Sequence, residues 1–305
     1  MIQSIPNGVY PTMVTPYTAD NKIDYNAVEA LLHWYKERGV AGVFAVCQSS
    51  EIFFLSFEER LALLRFIMAH KPAGMTVVAS GHVADDLPTQ TEEAKRFIDT
   101  GVDAYVFIAN RFAKADESDD VLWERMQSVA DALPEIGLGV YECPYPYKRV
   151  LTPELMAKMA ATGRYQFLKD TCCDIDMIRR KLAAVKGSPL KIFNANSATI
   201  LPSLRAGCAG FSGVMANFHP ELYVDLCRCY ADDPERAETL QAFLGFASLA
   251  ECQCYPVNAK YYLQLEGLPL NIDSRARDKR EFAPNRQAEI RQMKRLTDDF
   301  KQYIL

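Results

Sequence analysis

The sequence has little of what marks membranes, metals or nucleotide cofactors. No apolar run approaches the ~20 residues needed to span a bilayer. The opening stretch, MIQSIPNGVYPTMVTPY, lacks the basic and apolar regions of a secretion signal, so a cytoplasmic protein is expected. Histidine is scarce: four residues are scattered over 305 positions, which provides no cluster for a histidine-rich metal centre. Nine cysteines are present, but Cys227-Arg228-Cys229 and Cys252-Gln253-Cys254 lack the two-residue gap of a zinc knuckle. Without a secretion signal they read as reduced thiols rather than a disulfide framework. No G-x-G-x-x-G follows the first apolar run, which argues against an open dinucleotide-binding sheet. A net charge of −5 disfavours nucleic acid and anionic membrane surfaces as partners.

What is present is a chain with 49% apolar residues, enough for one large buried core. Eight β-rich runs recur at roughly thirty-residue intervals, the spacing of successive βα units. They are Val9–Val14, Ala41–Cys47, Met75–Ser80, Ala104–Ile108, Gly137–Tyr141, Gln166–Lys169, Leu190–Phe193 and Gly210–Val214. Between them lie helical patterns. Val28, Leu31, Leu32 and Tyr35 share one helical face. Ser56-Phe57-Glu58-Glu59 is a capping box, and Thr152-Pro153 sets an N-cap before proline at the first helical position. Gly39 and Gly101 stand where helices stop. This pattern predicts an α/β fold, a (β/α)8 TIM barrel over residues 1–232, followed by a C-terminal helical region over 233–305.

In such a barrel, chemistry is carried at the C-terminal strand ends. One lysine ends a predicted strand, Phe167-Leu168-Lys169. Burial would disfavour its ammonium form and lower its pKa from ~10.4, freeing an amine that attacks carbonyls. The competing reading is a strand-end lysine that reaches solvent or pairs with Asp170. Tyr141 ends the preceding strand, and strands ~4.8 Å apart would let a phenol and an amine reach one carbonyl. His82, after the third strand, reads either as an acid/base group or as a solvated loop histidine. Cys172-Cys173 reads as a redox pair or as packed thiols.

Further pieces match in order along the chain. Val14-Thr15-Pro16-Tyr17 is similar to a V-T-P-F motif, and Cys47-Gln48-Ser49-Ser50-Glu51 falls where G-T-T-G-E would stand. Leu55-Ser56-Phe57-Glu58-Glu59-Arg60 matches L-S-x-x-E-R, Tyr141-Glu142-Cys143-Pro144 matches Y-N-x-P, and Leu168-Lys169-Asp170 matches I-K-D/E. Gly207 through Asn217 matches G-x-x-G-x-x-S-x-x-A-N, with Gly213 in place of the serine. With these motifs the sequence resembles the dihydrodipicolinate synthase / N-acetylneuraminate lyase family of pyruvate-dependent class I aldolases. The resemblance implies that Lys169 forms a Schiff base with pyruvate or another 2-keto acid and that Tyr141 transfers protons. It implies that Gln48, Ser49 and Ser50 hold the keto acid's carboxylate, and that Thr15 bonds Tyr141 or shapes the floor. No metal or organic cofactor is implied, because the protonated imine is the electron sink. A homo-oligomer, tetramer or dimer, is implied as well.

The departures bear on substrate. Cys47 and Ser50 replace both glycines of the carboxylate loop, which predicts an altered or strained loop. Ile108-Ala109-Asn110-Arg111-Phe112 replaces P-P-Y-Y, so the tyrosine that a neighbouring subunit supplies in dihydrodipicolinate synthase is not evident. Pro146 stands where those synthases carry an arginine for the second substrate's carboxylate. Glu142, Asn194, Asn196 and Ser212 are expected around the mouth, with Arg111 as another anion contact. This lining suggests reversible aldol cleavage of a hydroxylated keto acid, with an aldehyde as the second partner. The alternatives are a synthase-type condensation, a keto-sugar-acid dehydratase, or a catalytically inactive barrel with a binding or regulatory role.

Overall fold

Short apolar and β-branched runs, each too brief to form a helix, become the staves of a closed sheet. In the computed structural model, which describes residues 2–305, these are β1 (Gly8–Val9), β2 (Gly42–Ala45), β3 (Thr76–Ala79), β4 (Ala104–Ile108), β5 (Gly137–Tyr141), β6 (Tyr165–Asp170), β7 (Lys191–Asn194) and β8 (Gly210–Phe211). All pair in parallel, in the order β1-β8-β7-β6-β5-β4-β3-β2. The ring closes through a parallel bridge between Thr12 and Phe44, where the Phe44 N–H donates to Pro11 O at 2.9 Å. The expected TIM barrel is therefore observed.

The first and eighth strands are shorter than their patterns suggested. Pro11 has no N–H to continue the ladder, and beyond Phe211 the chain turns into a short 3-10 segment, Val214–Asn217. Where β1 meets β8 the backbones nearly touch: a Cβ on Gly210 would lie 1.8 Å from Gly8 O. Only glycine fits that crossing.

Eight helices cover the sheet: α1 (Tyr25–Glu37), α2 (Phe57–His70), α3 (Leu87–Ile98), α4 (Asp119–Asp131), α5 (Pro153–Ala161), α6 (Ile175–Ala184), α7 (Ile200–Ala206) and α8 (Pro220–Cys229). Val28, Leu31, Leu32 and Tyr35 form the wholly buried face of α1. The capping box at α2 is formed as the sequence suggested, with Glu59 N–H on Ser56 Oγ at 3.2 Å and Ser56 N–H on Glu59 Oε2 at 2.9 Å. Thr152 caps α5 ahead of Pro153. Inside the barrel, Tyr10, Phe44, Phe167 and Phe193 interlock, with Phe167 and Phe193 stacked at 4.6 Å. This aromatic plug is the floor beneath the strand ends.

Three further helices follow: α9 (Pro234–Ala247), α10 (Val257–Leu265) and α11 (Pro284–Ile304). They lie against the barrel, with Phe243 of α9 stacked on Phe300 of α11 at 4.1 Å. A buried ion pair ties this region to the loop after β2. Lys260 of α10 reaches Glu51 Oε1 at 2.8 Å, and both side chains are fully buried. Ser274 Oγ and the Arg275 and Ala276 N–H groups donate to Glu51 Oε2 at 2.9, 2.5 and 2.9 Å. Both oxygens of that carboxylate are thus engaged by the tail. Among the described residues no helix is long and apolar enough to cross a membrane.

His219 lies between α8 and the tail with both ring nitrogens lacking a hydrogen-bond partner among the described residues. Its ring is packed among Tyr223, Phe243 and Tyr262. Burial, aided by the charge of Lys301, pulls its pKa down to about 3.

Two stability predictions follow from these buried groups. Lys260→Met strands the Glu51 carboxylate and is expected to cost about 3–5 kcal/mol in urea unfolding; a loss near zero would show that the pair does not hold the tail. His219 is neutral when folded but titrates near 6.5 when unfolded. Its contribution is therefore complete above that pH and fades as pH falls toward 3. His219→Phe removes this dependence, so the stability difference between variant and wild type should shift in the variant's favour by about 2 kcal/mol between pH 7 and pH 5. A constant difference would refute a neutral buried imidazole.

Candidate active site

Side chains alternate between the two faces of a strand, and in β5 and β6 this alternation decides which groups enter the barrel mouth. Tyr141 and Lys169 pair in register and both face inward. The Lys169 Nζ lies 4.2 Å from the Tyr141 ring centroid. Lys169 is 4% exposed, and its amine has no hydrogen bond or ion pair among the described residues. Burial lowers its pKa, against weaker pulls from Cys47, Cys143 and Glu251. The Tyr141 hydroxyl donates to Gln48 Oε1 at 3.2 Å. Burial raises that phenol well above its usual range, so it holds its proton at neutral pH.

The neighbours of this pair face outward. Asp170 and Glu142 both meet Lys181 of α6, each carboxylate at 2.5 Å from its Nζ, and all three side chains are fully buried. Asp170 therefore does not pair with Lys169. Burial and the charge of Asp170 push the Glu142 carboxyl up to about 7, against the pull of Lys181. One ammonium cannot neutralise two buried carboxylates, so the group retains a proton near neutrality. Glu142 also accepts from the Leu151 and Thr171 N–H groups, each at 2.8 Å. The expectation that it lines the mouth is corrected: it clamps the strand ends from behind.

The loop after β2 carries strain, though not at the two positions where glycine is replaced. Cys47 is extended (φ −121°) and Ser50 lies in a 3-10 turn, so neither replaced glycine position is strained. The left-handed residues are instead Val46 (φ 48°) and Glu51 (φ 62°). For the β-branched Val46 this is a true outlier. Gln48 and Ser49 line the cavity, with Ser49 Oγ donating to Thr12 Oγ1 at 3.0 Å. Ser50 turns away, its hydroxyl donating to Met13 O at 2.7 Å and accepting from Cys47 N–H at 3.1 Å. Thr15 donates to Ser50 O at 2.8 Å rather than to Tyr141; it braces the loop.

Several other expected contacts are structural. Ser212 donates to Tyr10 O at 2.9 Å. Asn194 donates to Thr199 Oγ1 and Ser203 Oγ, each at 3.0 Å, and its Oδ1 accepts from Asn196 N–H. Both side chains are fully buried away from the cavity. Arg111 binds Val83 O and the Asp85 carboxylate outside the cavity. His82 is neither solvated nor at the mouth: Nε2 accepts from Ile108 N–H at 3.0 Å and Nδ1 meets the Tyr105 hydroxyl at 2.9 Å. Burial, reinforced by Arg111 and Arg60, pulls its pKa down to about 3. Gly213 has no room for the family serine, because a Cβ would lie 2.3 Å from the Phe211 ring. That ring is stacked on Tyr223 at 3.9 Å. Of the vicinal thiols, Cys173 lines the cavity, whereas burial pushes the Cys172 thiol up to about 12, which is unlike a reactive redox thiol.

The cavity at the strand ends is about 530 Å³, a size suited to a small organic acid. Its wall holds groups that strand-end reasoning missed. Lys148 and Thr171 come from barrel loops, beside Asn196, which was expected there, while Glu251, Tyr255 and Arg277 come from the connections beside α10. The Tyr255 hydroxyl accepts from Asn217 Nδ2 at 3.3 Å, close to Ser49 and Thr12. The crowded stretch Glu251-Cys252-Gln253-Cys254-Tyr255-Pro256 was the available signal, but it lies far outside any strand end.

Comparison with known proteins agrees with this geometry. The model of the dihydrodipicolinate synthetase family matches residues 5–277. A 4-hydroxy-tetrahydrodipicolinate synthase of Saccharophagus degradans is 25% identical over 266 residues, spanning 87% of this chain and 90% of that protein. Among solved structures, YagE, a prophage protein of E. coli K12 in complex with pyruvate, superposes with a TM-score of 0.85 at 23% identity, over 97% of this chain and 98% of that one. A catalytic lysine mutant of Ruminococcus gnavus sialic acid aldolase superposes with a TM-score of 0.87 at 21% identity, over 98% of each chain. The structural likenesses establish the shared fold, and the match along nearly the whole sequence establishes more: this chain is an enzyme of the dihydrodipicolinate synthetase family, whose members are class I lyases and aldolases.

Proposed function

We propose that the protein is a Schiff-base lyase that cleaves a hydroxylated 2-keto acid reversibly to pyruvate and an aldehyde. The observation that carries this reading is Lys169: a buried amine without a partner among the described residues, facing a cavity beside a phenol. Loss of a proton leaves that amine able to attack the C2 carbonyl and form a carbinolamine. Tyr141 supplies a proton as water leaves, and the product is an iminium on Lys169. The C3–C4 bond then breaks toward the iminium, whose nitrogen takes the electron pair, while the C4 hydroxyl loses its proton to become the aldehyde. Protonation at C3 and hydrolysis release pyruvate and regenerate the amine. In this reading Gln48 and Ser49 receive the carboxylate.

The comparisons support the choice of keto acid. YagE is described with pyruvate bound, and the Ruminococcus gnavus aldolase has a catalytic lysine. Cleavage is favoured over the synthase reaction because Pro146 provides no guanidinium for a second carboxylate. The cations nearest the mouth are Lys148, which donates to Thr171 O at 2.8 Å, and the exposed Arg277. With Thr171 and Asn196 they suit a hydroxylated acid chain extending outward.

Borohydride reduction in the presence of pyruvate should leave a mass adduct on a peptide containing Lys169, and none on Lys169→Ala. Absence of the adduct at saturating pyruvate would exclude pyruvate as the electrophile. The trapping rate should rise with pH and level off below the ordinary lysine value of about 10.4. Tyr141→Phe should slow trapping about 100-fold without a comparable loss of stability; full activity in that variant would remove Tyr141 from the proton path.

A further inference from the structure

Once an imine has formed, every reaction of this class moves a proton at C3, so some group in the cavity must act as the base at carbon. The wall contains two carboxylates, Glu51 and Glu251. Glu51 is occupied by Lys260, Ser274 Oγ and two backbone N–H groups. The Tyr141 hydroxyl is a donor to an amide oxygen, and Gln48 Oε1 also receives the Cys143 thiol at 3.4 Å. An amide oxygen holds a proton poorly, so that contact leads no further. The Tyr255 hydroxyl is engaged with Asn217.

Glu251 differs from all of these. It is half-buried, between cavity and solvent, and its carboxylate has neither a hydrogen bond nor an ion pair among the described residues. Its backbone is held in place: Asn258, wholly buried in α10, donates to Ala250 O at 2.8 Å and to Glu251 O at 3.4 Å. Burial raises the Glu251 pKa, and the charge that opposes this is that of Lys169. The influence is mutual, since Glu251 in turn raises Lys169. A carboxylate that is fixed in backbone, free at its oxygens and within electrostatic reach of the imine-forming nitrogen is placed to exchange protons between substrate and water.

We infer that Glu251, delivered from the segment between α9 and α10, is the base that removes and returns the proton at C3 of the Lys169-bound keto acid. The inference rests on the Schiff-base reading above. With pyruvate, the Glu251 carboxylate takes a methyl proton, and the C–H pair becomes the C2=C3 bond. The π pair of the iminium moves onto nitrogen, giving a neutral enamine. Return of a proton from the Glu251 carboxyl to C3 reverses the step, and exchange of that proton with water labels the methyl group. No oxidant or second substrate takes part.

The test separates imine formation from proton transfer at carbon. Wild type, Glu251→Gln, Glu251→Asp and Lys169→Ala are incubated with pyruvate in D2O, with methyl exchange followed by NMR and imine formation by borohydride trapping. Glu251→Gln should form the same borohydride-trapped adduct on Lys169, no more slowly than wild type because the amine loses a charge that favours its protonated form, yet exchange methyl protons at least tenfold more slowly, and Glu251→Asp should recover part of that loss. Lys169→Ala should do neither. Wild-type exchange in Glu251→Gln would overturn the inference while leaving the Schiff-base reading intact. Failure of wild type to trap pyruvate would overturn the Schiff-base reading with pyruvate, and this inference with it.

Discussion

The buried pair of Glu51 and Lys260 is the constraint from which the arrangement of the site follows. Its carboxylate sits at a left-handed turn just beyond Gln48 and Ser49, and its ammonium sits on α10. Two charges taken out of water are tolerable only when each is fully matched, and here the match demands that the tail lie across the barrel mouth. The 274–276 segment is drawn in by its own N–H groups. Glu251 and Tyr255, at the start of the same helical unit, are carried with it onto the cavity wall. One carboxylate thus sets both the loop on the barrel and the lid of chain above it.

A second buried charge group does the same work from the opposite side. Lys181 holds Glu142 and Asp170, the outward neighbours of Tyr141 and Lys169. Because strand side chains alternate, fixing the outward residue of each pair fixes the inward one. The Lys169 amine can then stay unpaired among the described residues, since its strand is positioned by the charges of other residues. Lys169 and Lys181 are both wholly buried or nearly so, yet the carboxylates raise the second while burial lowers the first. Environment alone shifts two buried lysines in opposite directions.

Much of the fold could be read from sequence, because periodicity, caps and helix-ending glycines are local signals. The eight strands, the α1 face and the caps of α2 and α5 depend on residues near one another in the chain. Lys169 and Tyr141 were legible for a similar reason: each ends a strand, and adjacent strands put them in register. The polar residues around them were harder. Glu142 was assigned to the mouth although strand alternation from Tyr141 turns it outward. Ser212, Asn194 and Arg111 sit at suitable strand ends, but Ser212 is spent on a backbone carbonyl, Asn194 mainly on two hydroxyls and Arg111 on a carbonyl and a carboxylate, contacts that strand-end position does not reveal. Glu251 and Tyr255 were invisible because their place depends on how the tail returns to the barrel. That return is set by Lys260, 209 positions from its partner.

This separation has a consequence for how the molecule is made. The chain emerges from the ribosome N-terminus first, and domains gain structure as they emerge. Until Lys260 is synthesised, the Glu51 carboxylate has no counter-ion and the mouth of the barrel has no wall on that side. The lysine amine at 169 is therefore complete in sequence long before it is complete in setting. A nascent barrel that stops short of α10 holds the Lys169 amine without its enclosure, and synthesis of the tail supplies the missing wall.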